Sequence, residues 1–68
     1  MNNKLLAELG AKIKKRRIEL NMTQAELANK CECRENIITG IESGEYDAEV
    51  TILVRISHAL GINIPDLL

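Results

Sequence analysis

Two segments of this 68-residue chain limit its possible folds more than any other part. Residues 23–28 begin a helix with Thr-Gln-Ala-Glu-Leu-Ala, and residues 37–44 end one with Ile-Ile-Thr-Gly-Ile-Glu-Ser-Gly. The intervening residues 29–36 leave room for a tight turn and the start of a second helix. Two short helices at this spacing predict a helix-turn-helix at about residues 23–43. The second helix of such a motif can enter the major groove of DNA.

A capping box marks the start of the first helix of this motif. Thr23 and Glu26 stand at the spacing at which each side chain can bond the backbone amide of the other. Met22 and Leu27 occupy the positions of a hydrophobic staple. The pattern therefore predicts a helix that begins at Gln24 and ends near residue 30.

Apolar periodicity predicts the remaining helices of an all-α fold. A first helix is expected over about residues 3–20, and Asn21 can end it. The second helix of the motif is expected over about residues 34–43, with Gly44 as its C-terminal cap. Asp47 can cap a further helix that Gly61 ends, and an apolar tail can add one last short turn. The residues expected to face inward from that further helix are Val50, Leu53, Val54, Ile56 and Leu60. We predict a single domain over residues 1–68, built as a compact bundle of four to five short helices.

Composition excludes several functional classes. Tyr46 is the single aromatic residue, which argues against base stacking of the kind used by single-strand binders. No apolar run approaches the ~20 residues of a membrane span, and residues 1–9 lack a signal-peptide core. A cytoplasmic protein without membrane contact is therefore expected.

The cysteines and the histidine predict no metal site and no catalytic centre. Cys31, Cys33 and His58 are too few ligands for structural zinc, and a disulfide across one residue is geometrically poor. We interpret the two thiols as small apolar residues at the turn, although a partly exposed Cys33 could be oxidised. His58 has no nucleophile or carboxylate at catalytic spacing, so we expect no enzyme, no cofactor and no small-molecule ligand.

Positive charge is concentrated near the N-terminus although the net charge is −1. Residues 1–17 hold six basic residues against Glu8 alone, namely Lys4, Lys12, Lys14, Lys15, Arg16 and Arg17. An ordinary solvated helix face explains such a run, but its place beside a helix-turn-helix favours a surface that contacts phosphates. Arg16 and Arg17 also interrupt the apolar stripe, so one of them is expected to bury its stem and bond a partner.

The sequence resembles the lambdoid phage repressor and Cro family of helix-turn-helix domains, the xenobiotic-response-element type. The resemblance runs from about Leu9 to Leu68. It is carried by Ile13, Arg17, Met22, Thr23, Gln24, Glu26, Leu27, Ala28, Ile38, Ile41, Glu42, Ser43, Gly44, Leu53, Ile56 and residues 59–62. It implies a phage-repressor-like DNA-binding domain whose partner is double-stranded DNA, in a protein of bacterial or phage type that is associated with the nucleoid.

The resemblance also implies roles for individual residues. Arg17 and Glu42 match a partly buried ion pair between two helices, and Gln24 and Ser43 match positions that contact DNA phosphates. The positions that match base-reading residues are Glu35, Asn36, Thr39 and Gly40. The full set of expected phosphate contacts is Gln24, Arg17, Lys14, Arg34 and Ser43. By chemistry alone, Asn36 can pair with adenine and Glu35 can accept from cytosine, although both could be ordinary exposed helical residues.

The chain departs from the family pattern at several positions. Glu32 stands in the turn where the family often has Gly, and Arg34 replaces the usual Ser or Thr cap. Gly40 lacks the side chain that relatives often use there. The loop at residues 45–49 is acidic, and carboxylates near phosphates oppose DNA binding at low salt.

Two functions from different classes fit these observations. The first is a sequence-specific transcriptional regulator, expected to be a repressor, that binds a two-fold operator as a homodimer. The apolar tail is then a candidate dimer interface through Ile62, Ile64, Leu67 and Leu68, although it could simply close the core. The second is a helix-turn-helix module for protein interaction, antitoxin-like or repressor-binding, with weak or no DNA binding, which the acidic loop motivates.

Overall fold

Five helices make up the part of the protein that the computed structural model describes, residues 3–67. They are α1 (Asn3–Glu19), α2 (Gln24–Lys30), α3 (Glu35–Glu42), α4 (Val50–Leu60) and α5 (Ile64–Leu67). Between residues 3 and 67 there is no strand. The predicted all-α bundle of four to five short helices is confirmed. None of these helices has the length and apolar character needed to cross a bilayer.

The core is aliphatic and takes side chains from all five helices. Its largest members, each less than 2% exposed, are Ile13, Leu27, Ile38, Ile41, Ile56, Leu60 and Leu67, together with Cys31. Full burial of one such aliphatic side chain contributes about 1.5–3 kcal/mol. Helix α3 packs against α1 and α2, while α4 packs against α1, α2 and α5. The two helices of the motif are therefore supported by the rest of the bundle.

Residues in the left-handed conformation end four of the helices. Gly44 and Gly61 have φ values of 78° and 65°, while Asn21 and Glu32 have φ values of 57° and 55°. After each of these helices, backbone hydrogen bonds close the last turn in the Schellman pattern, such as Cys33 N to Ala28 O at 3.0 Å. A left-handed residue with a Cβ costs roughly 1–2 kcal/mol. Glu32 therefore strains the turn at the position where Gly is usual in the family.

Gly10 allows α1 and α3 to cross at close range. A Cβ at this position would lie against the carbonyl oxygen of Ile41 and 2.7 Å from that of Glu42. Both neighbours are backbone atoms of α3, so they cannot move without moving the helix. The absence of a side chain at Gly10 thus sets the distance of α3 from α1.

The start of α4 differs from the prediction. Asp47 does not cap this helix; Glu49 is its N-cap, and the Glu49 side chain makes no capping hydrogen bond. Val50, expected to face inward, is 74% exposed. Val50 is the first residue of α4, so its side chain tilts toward the N-terminus and off the end of the helix. The other inward positions are buried or half-buried, and Gly61 ends the helix as expected.

Candidate DNA-binding surface

A buried ion pair between Arg17 and Glu42 joins α1 to α3. Arg17 Nε lies 2.7 Å from Glu42 Oε2, and Arg17 Nη2 lies 3.1 Å from Glu42 Oε1. The two side chains are 10% and 3% exposed. Arg17 Nη1 also donates to the carbonyl oxygen of Met22 at 2.6 Å. The hydrogen bond to Glu42 raises the pKa of Arg17, so the pair stays charged.

Gln24 extends this pair into a network that includes α2. Its Nε2 donates to Glu42 Oε1 at 3.0 Å, and its Oε1 accepts from the Thr39 hydroxyl at 2.9 Å. Arg17, Glu42, Gln24 and Thr39 therefore connect α1, α2 and α3, and we call them the inter-helix network. Because most of these bonds involve charged groups or are shielded from water, they fix the direction of α3 relative to α2.

The capping box at the start of α2 is formed as predicted. The Glu26 amide donates to Thr23 Oγ1 at 3.0 Å, and the Thr23 amide donates to Glu26 Oε1 at 2.8 Å. The second of these bonds is the main reason that the pKa of Glu26 is lowered. The box sets the first residue of α2 and so places Gln24 opposite Glu42 and Thr39.

The outer face of α3 presents polar side chains to solvent. Glu35, Asn36 and Thr39 are exposed, and so is Arg34, which is the N-cap of α3 without a side-chain capping bond. The Thr39 hydroxyl also lies 3.2 Å from the carbonyl oxygen of Glu35. An exposed helix face of this kind has donors and acceptors that can pair with base edges in a major groove.

Gly40, expected to lie among the base-reading residues, is half-buried beside Tyr46. A Cβ on Gly40 would approach the Tyr46 Cβ to 3.0 Å. Gly40 itself has no side chain that could contact a base. The Tyr46 side chain, from the loop that follows α3, lies next to it. Sequence reasoning missed Tyr46 as a site residue. The signal that could have found it is Gly44, because a left-handed residue after a helix turns the chain back over the last turn.

The predicted phosphate contacts fall into two groups. Lys14, Arg34 and Ser43 are exposed, and Gln24 is half-buried with its amide in the inter-helix network. Arg17, by contrast, is 8% exposed and bonds Glu42 and Met22. Its role as a phosphate contact stays a prediction, since the structure shows the guanidinium only as the partner of a buried carboxylate.

The carboxylate of Glu45 lies directly beside one of these candidate contacts. The Ser43 hydroxyl is 2.9 Å from Glu45 Oε1 and 3.0 Å from the carbonyl oxygen of Gly40. Glu45, Asp47 and Glu49 are all exposed. The acidic loop that follows α3 therefore adds negative charge at the C-terminal end of this helix.

The candidate dimer interface is smaller than the sequence indicates. Leu67 is 1% exposed and closes the core of the monomer, so its expected place in a dimer interface is wrong. Leu68 lies outside the described residues. Ile62 and Ile64 are half-buried and line a groove of about 410 Å³ between α4 and α5. The groove is also lined by Val54, Ser57, His58, Asn63, Pro65 and Asp66.

The thiols lie at the turn between α2 and α3, away from the outer face of α3. Cys31 is buried and Cys33 half-buried, and both are free. Burial raises the pKa of the Cys31 thiol to about 11. Burial also raises the pKa of Cys33, so neither thiol is activated as a thiolate. In residues 3–67, no three His, Cys, Asp or Glu side chains form a group that could hold a metal ion.

Helices α2 and α3, joined by a tight turn and fixed by the inter-helix network, define a helix-turn-helix DNA-binding domain. A family model described as helix-turn-helix matches residues 13–67. The chain belongs to this family, in its xenobiotic-response-element type.

The relatives of this chain include named regulators. It is 33% identical to control protein C.BamHI from Bacillus amyloliquefaciens over 69 residues, which cover 100% of this chain and 85% of that protein. The wild-type restriction-modification controller protein C.Esp1396I is 32% identical, with a TM-score of 0.82 over 93% of this chain and 83% of that chain. The clp gene regulator ClgR from C. glutamicum is 27% identical, with a TM-score of 0.87 over 93% of this chain and 81% of that chain. The protein is thus a DNA-binding transcriptional regulator.

Proposed function

We propose that residues 1–68 form one domain that binds a two-fold operator as a homodimer and represses transcription. The observation that carries this proposal is the exposed polar face of α3, held in a fixed direction by the inter-helix network. A rigid reading helix loses little conformational freedom when it enters a major groove. Such a regulator acts in the cytoplasm, on chromosomal or phage DNA.

The side chains divide into two roles in this proposal. Glu35, Asn36 and Thr39 read base edges, with Asn36 forming a bidentate pair with adenine. Gln24, Lys14, Arg34 and Ser43 contact phosphates and set the register of the domain on the duplex. Gln24 is suited to this role because its carbonyl oxygen and one amide hydrogen are used within the network, while the second amide hydrogen is available to a phosphate oxygen.

The groove between α4 and α5 supports the homodimer. Ile62 and Ile64 are only half-buried in the monomer, and exposed apolar surface of this kind is typical of an interface. A single domain reads only a few base pairs, so two copies on half-sites about one helical turn apart supply the needed specificity. Repression follows when the bound dimer occupies a promoter.

The named relatives support a particular biological role. C.Esp1396I is a restriction-modification controller protein and is 32% identical to this chain. We infer that this chain controls genes of a restriction-modification system in the same manner. The selected operator should then lie upstream of a restriction or methyltransferase gene near the gene of this protein, and its absence from that region would refute this role.

The experiment that tests DNA reading is selection from a randomised duplex library, followed by binding measurements over a salt series. A regulator enriches a palindromic site and loses affinity steeply as salt rises. No enrichment, together with weak binding that salt hardly changes, would instead favour the protein-interaction module that the acidic loop motivates. Gel filtration with and without the selected DNA reports the dimer.

Two variants separate the proposed roles of base reading and phosphate contact. Asn36→Ala should weaken binding to the selected site by about tenfold or more and leave binding to random DNA nearly unchanged. Gln24→Ala should weaken both by similar factors, because a phosphate contact carries no sequence information. Equal effects of the two variants on both DNAs would contradict this division of roles.

A further inference from the structure

Tyr46 lies against Gly40 of α3 although it belongs to the loop that follows this helix. A Cβ on Gly40 would approach Tyr46 Cβ to 3.0 Å and Tyr46 Cγ to 3.8 Å. Gly40 follows Asn36 by four residues, which places the two on one face of the helix. The Tyr46 side chain therefore stands next to the row of α3 that carries Asn36.

The backbone of the loop is held in this position by two hydrogen bonds. The amides of Glu45 and Tyr46 both donate to the carbonyl oxygen of Gly40, at 3.0 and 3.1 Å. Gly44, with φ of 78°, reverses the chain so that these bonds can form. These two bonds hold the backbone of Tyr46 against the last turn of α3.

Tyr46 is neither a core residue nor a fully solvated one. It is 37% exposed, so roughly two-thirds of its surface is covered while the remainder faces solvent. Among the described residues, 3–67, the Tyr46 hydroxyl takes no part in the hydrogen bonds of the inter-helix network. A ring with an apolar edge and a free polar tip is well suited to contact an amphipathic partner.

We infer that Tyr46 is a specificity-determining residue that takes the place of the side chain missing at Gly40. This inference rests on the proposed function, since it requires α3 to enter a major groove. The ring edge then contacts the C5-methyl group of a thymine in the base pair next to the one read by Asn36, and the phenol donates to the O4 acceptor of that thymine.

The test compares operators selected by the wild type and by Tyr46→Ala, with Val50→Ala as matched control. Val50 is an apolar residue that is 74% exposed at the first position of α4. The wild type and the control should select the same site. In each half-site, a T·A pair should stand next to the base pair whose preference depends on Asn36. Tyr46→Ala should accept any base pair there, and its affinity for the wild-type site should fall about tenfold or more.

A purely structural role of Tyr46 predicts a different result. Loss of support for the loop would weaken binding to every sequence by the same factor and leave the selected site unchanged. That result, or no change in binding, overturns the assignment while the proposed function stands. If the wild type itself enriches no site, the proposed function fails and the assignment fails with it.

Gly40→Ala provides a second test of the assignment, because it leaves Tyr46 in the sequence. It also favours the helix, since Ala has a higher helix propensity than Gly. Its Cβ would meet the Tyr46 Cβ at 3.0 Å and push it away slightly, so this variant should weaken the preference at the same base-pair position as Tyr46→Ala. Adding Gly40→Ala to Tyr46→Ala should change the selected site no further. Loss of preference at a different position, or additive losses, would contradict the assignment. Tyr46→Phe should keep the methyl contact and stay within about threefold of wild-type affinity.

Discussion

The guanidinium of Arg17 and the carboxylate of Glu42 form a two-point ion pair across the α1–α3 contact, 2.7 Å and 3.1 Å apart. Gln24 donates to the same carboxylate from α2, so Glu42 is the point at which three helices meet. A carboxylate with three charge-assisted hydrogen bonds has a single favourable position. The direction of α3 relative to α1 and α2 therefore depends on the Glu42 side chain.

Glu42→Ala should destabilise the domain strongly. It leaves the Arg17 guanidinium buried without its carboxylate partner, which costs about 3–5 kcal/mol when one member of a buried pair is removed. Urea unfolding followed by circular dichroism measures the loss. Glu19→Ala is the control, because its pair with Arg16 is exposed and contributes at most about 1 kcal/mol. Similar losses in the two variants would show that burial of the Arg17–Glu42 pair has no energetic consequence.

Gly10→Ala should reduce stability although it improves helix propensity. The added Cβ gains about 1 kcal/mol within α1, while overpacking against the backbone of α3 costs about 1–3 kcal/mol or more. Because the atoms it meets are carbonyl oxygens of Ile41 and Glu42, we expect the cost to dominate. The midpoint of thermal unfolding reports the sign, and Ala11→Gly at an exposed position of the same helix measures the propensity term alone. A rise in the midpoint of Gly10→Ala would contradict the close crossing.

Stability should fall in acid partly through the capping box of α2. Folding lowers the pKa of Glu26 below its ordinary value of 4.5, mainly through the hydrogen bond donated by the Thr23 amide. The box is therefore fully stabilising above that ordinary value and loses its contribution as the pH falls through the lowered value. Thermal midpoints at pH 7 and pH 3 should differ less in Glu26→Gln than in the wild type. Glu49→Gln removes a carboxylate that makes no capping bond and should keep the wild-type difference.

Neutralising the acidic loop should tighten DNA binding. At about 10 Å in water, one carboxylate repels one phosphate by roughly 0.4 kcal/mol. Combining Glu45→Gln, Asp47→Asn and Glu49→Gln should then raise affinity up to about eightfold at low salt and about twofold at 0.1 M. Asp66→Asn, on α5, serves as the control. An unchanged affinity at low salt would show that this loop lies away from the phosphates in the complex.

Local signals predicted the boundaries of the first three helices well. The capping box of Thr23 and Glu26, the left-handed Asn21 and the glycine after α3 each act within a few residues, so their effect can be recognised in sequence. The start of α4 was predicted wrongly because Asp47 and Glu49 both precede an apolar run. Sequence alone does not distinguish the residue that adopts the extended N-cap conformation.

The roles of single side chains depend on contacts between residues distant in the chain. Periodicity placed Leu67 on an apolar tail, but the packing of α5 against α1 and α4 buries it in the core. The sequence predicted contacts of Arg17 with both a phosphate and a carboxylate, and the structure shows its side chain buried beside the carboxylate of Glu42. Cap, turn and apolar spacing determine an all-α helix-turn-helix because these interactions are short in range. The neighbour that fills the space at Gly40 is Tyr46, and only the tertiary structure decides this, because the chain must first reverse at Gly44 and pack back on α3.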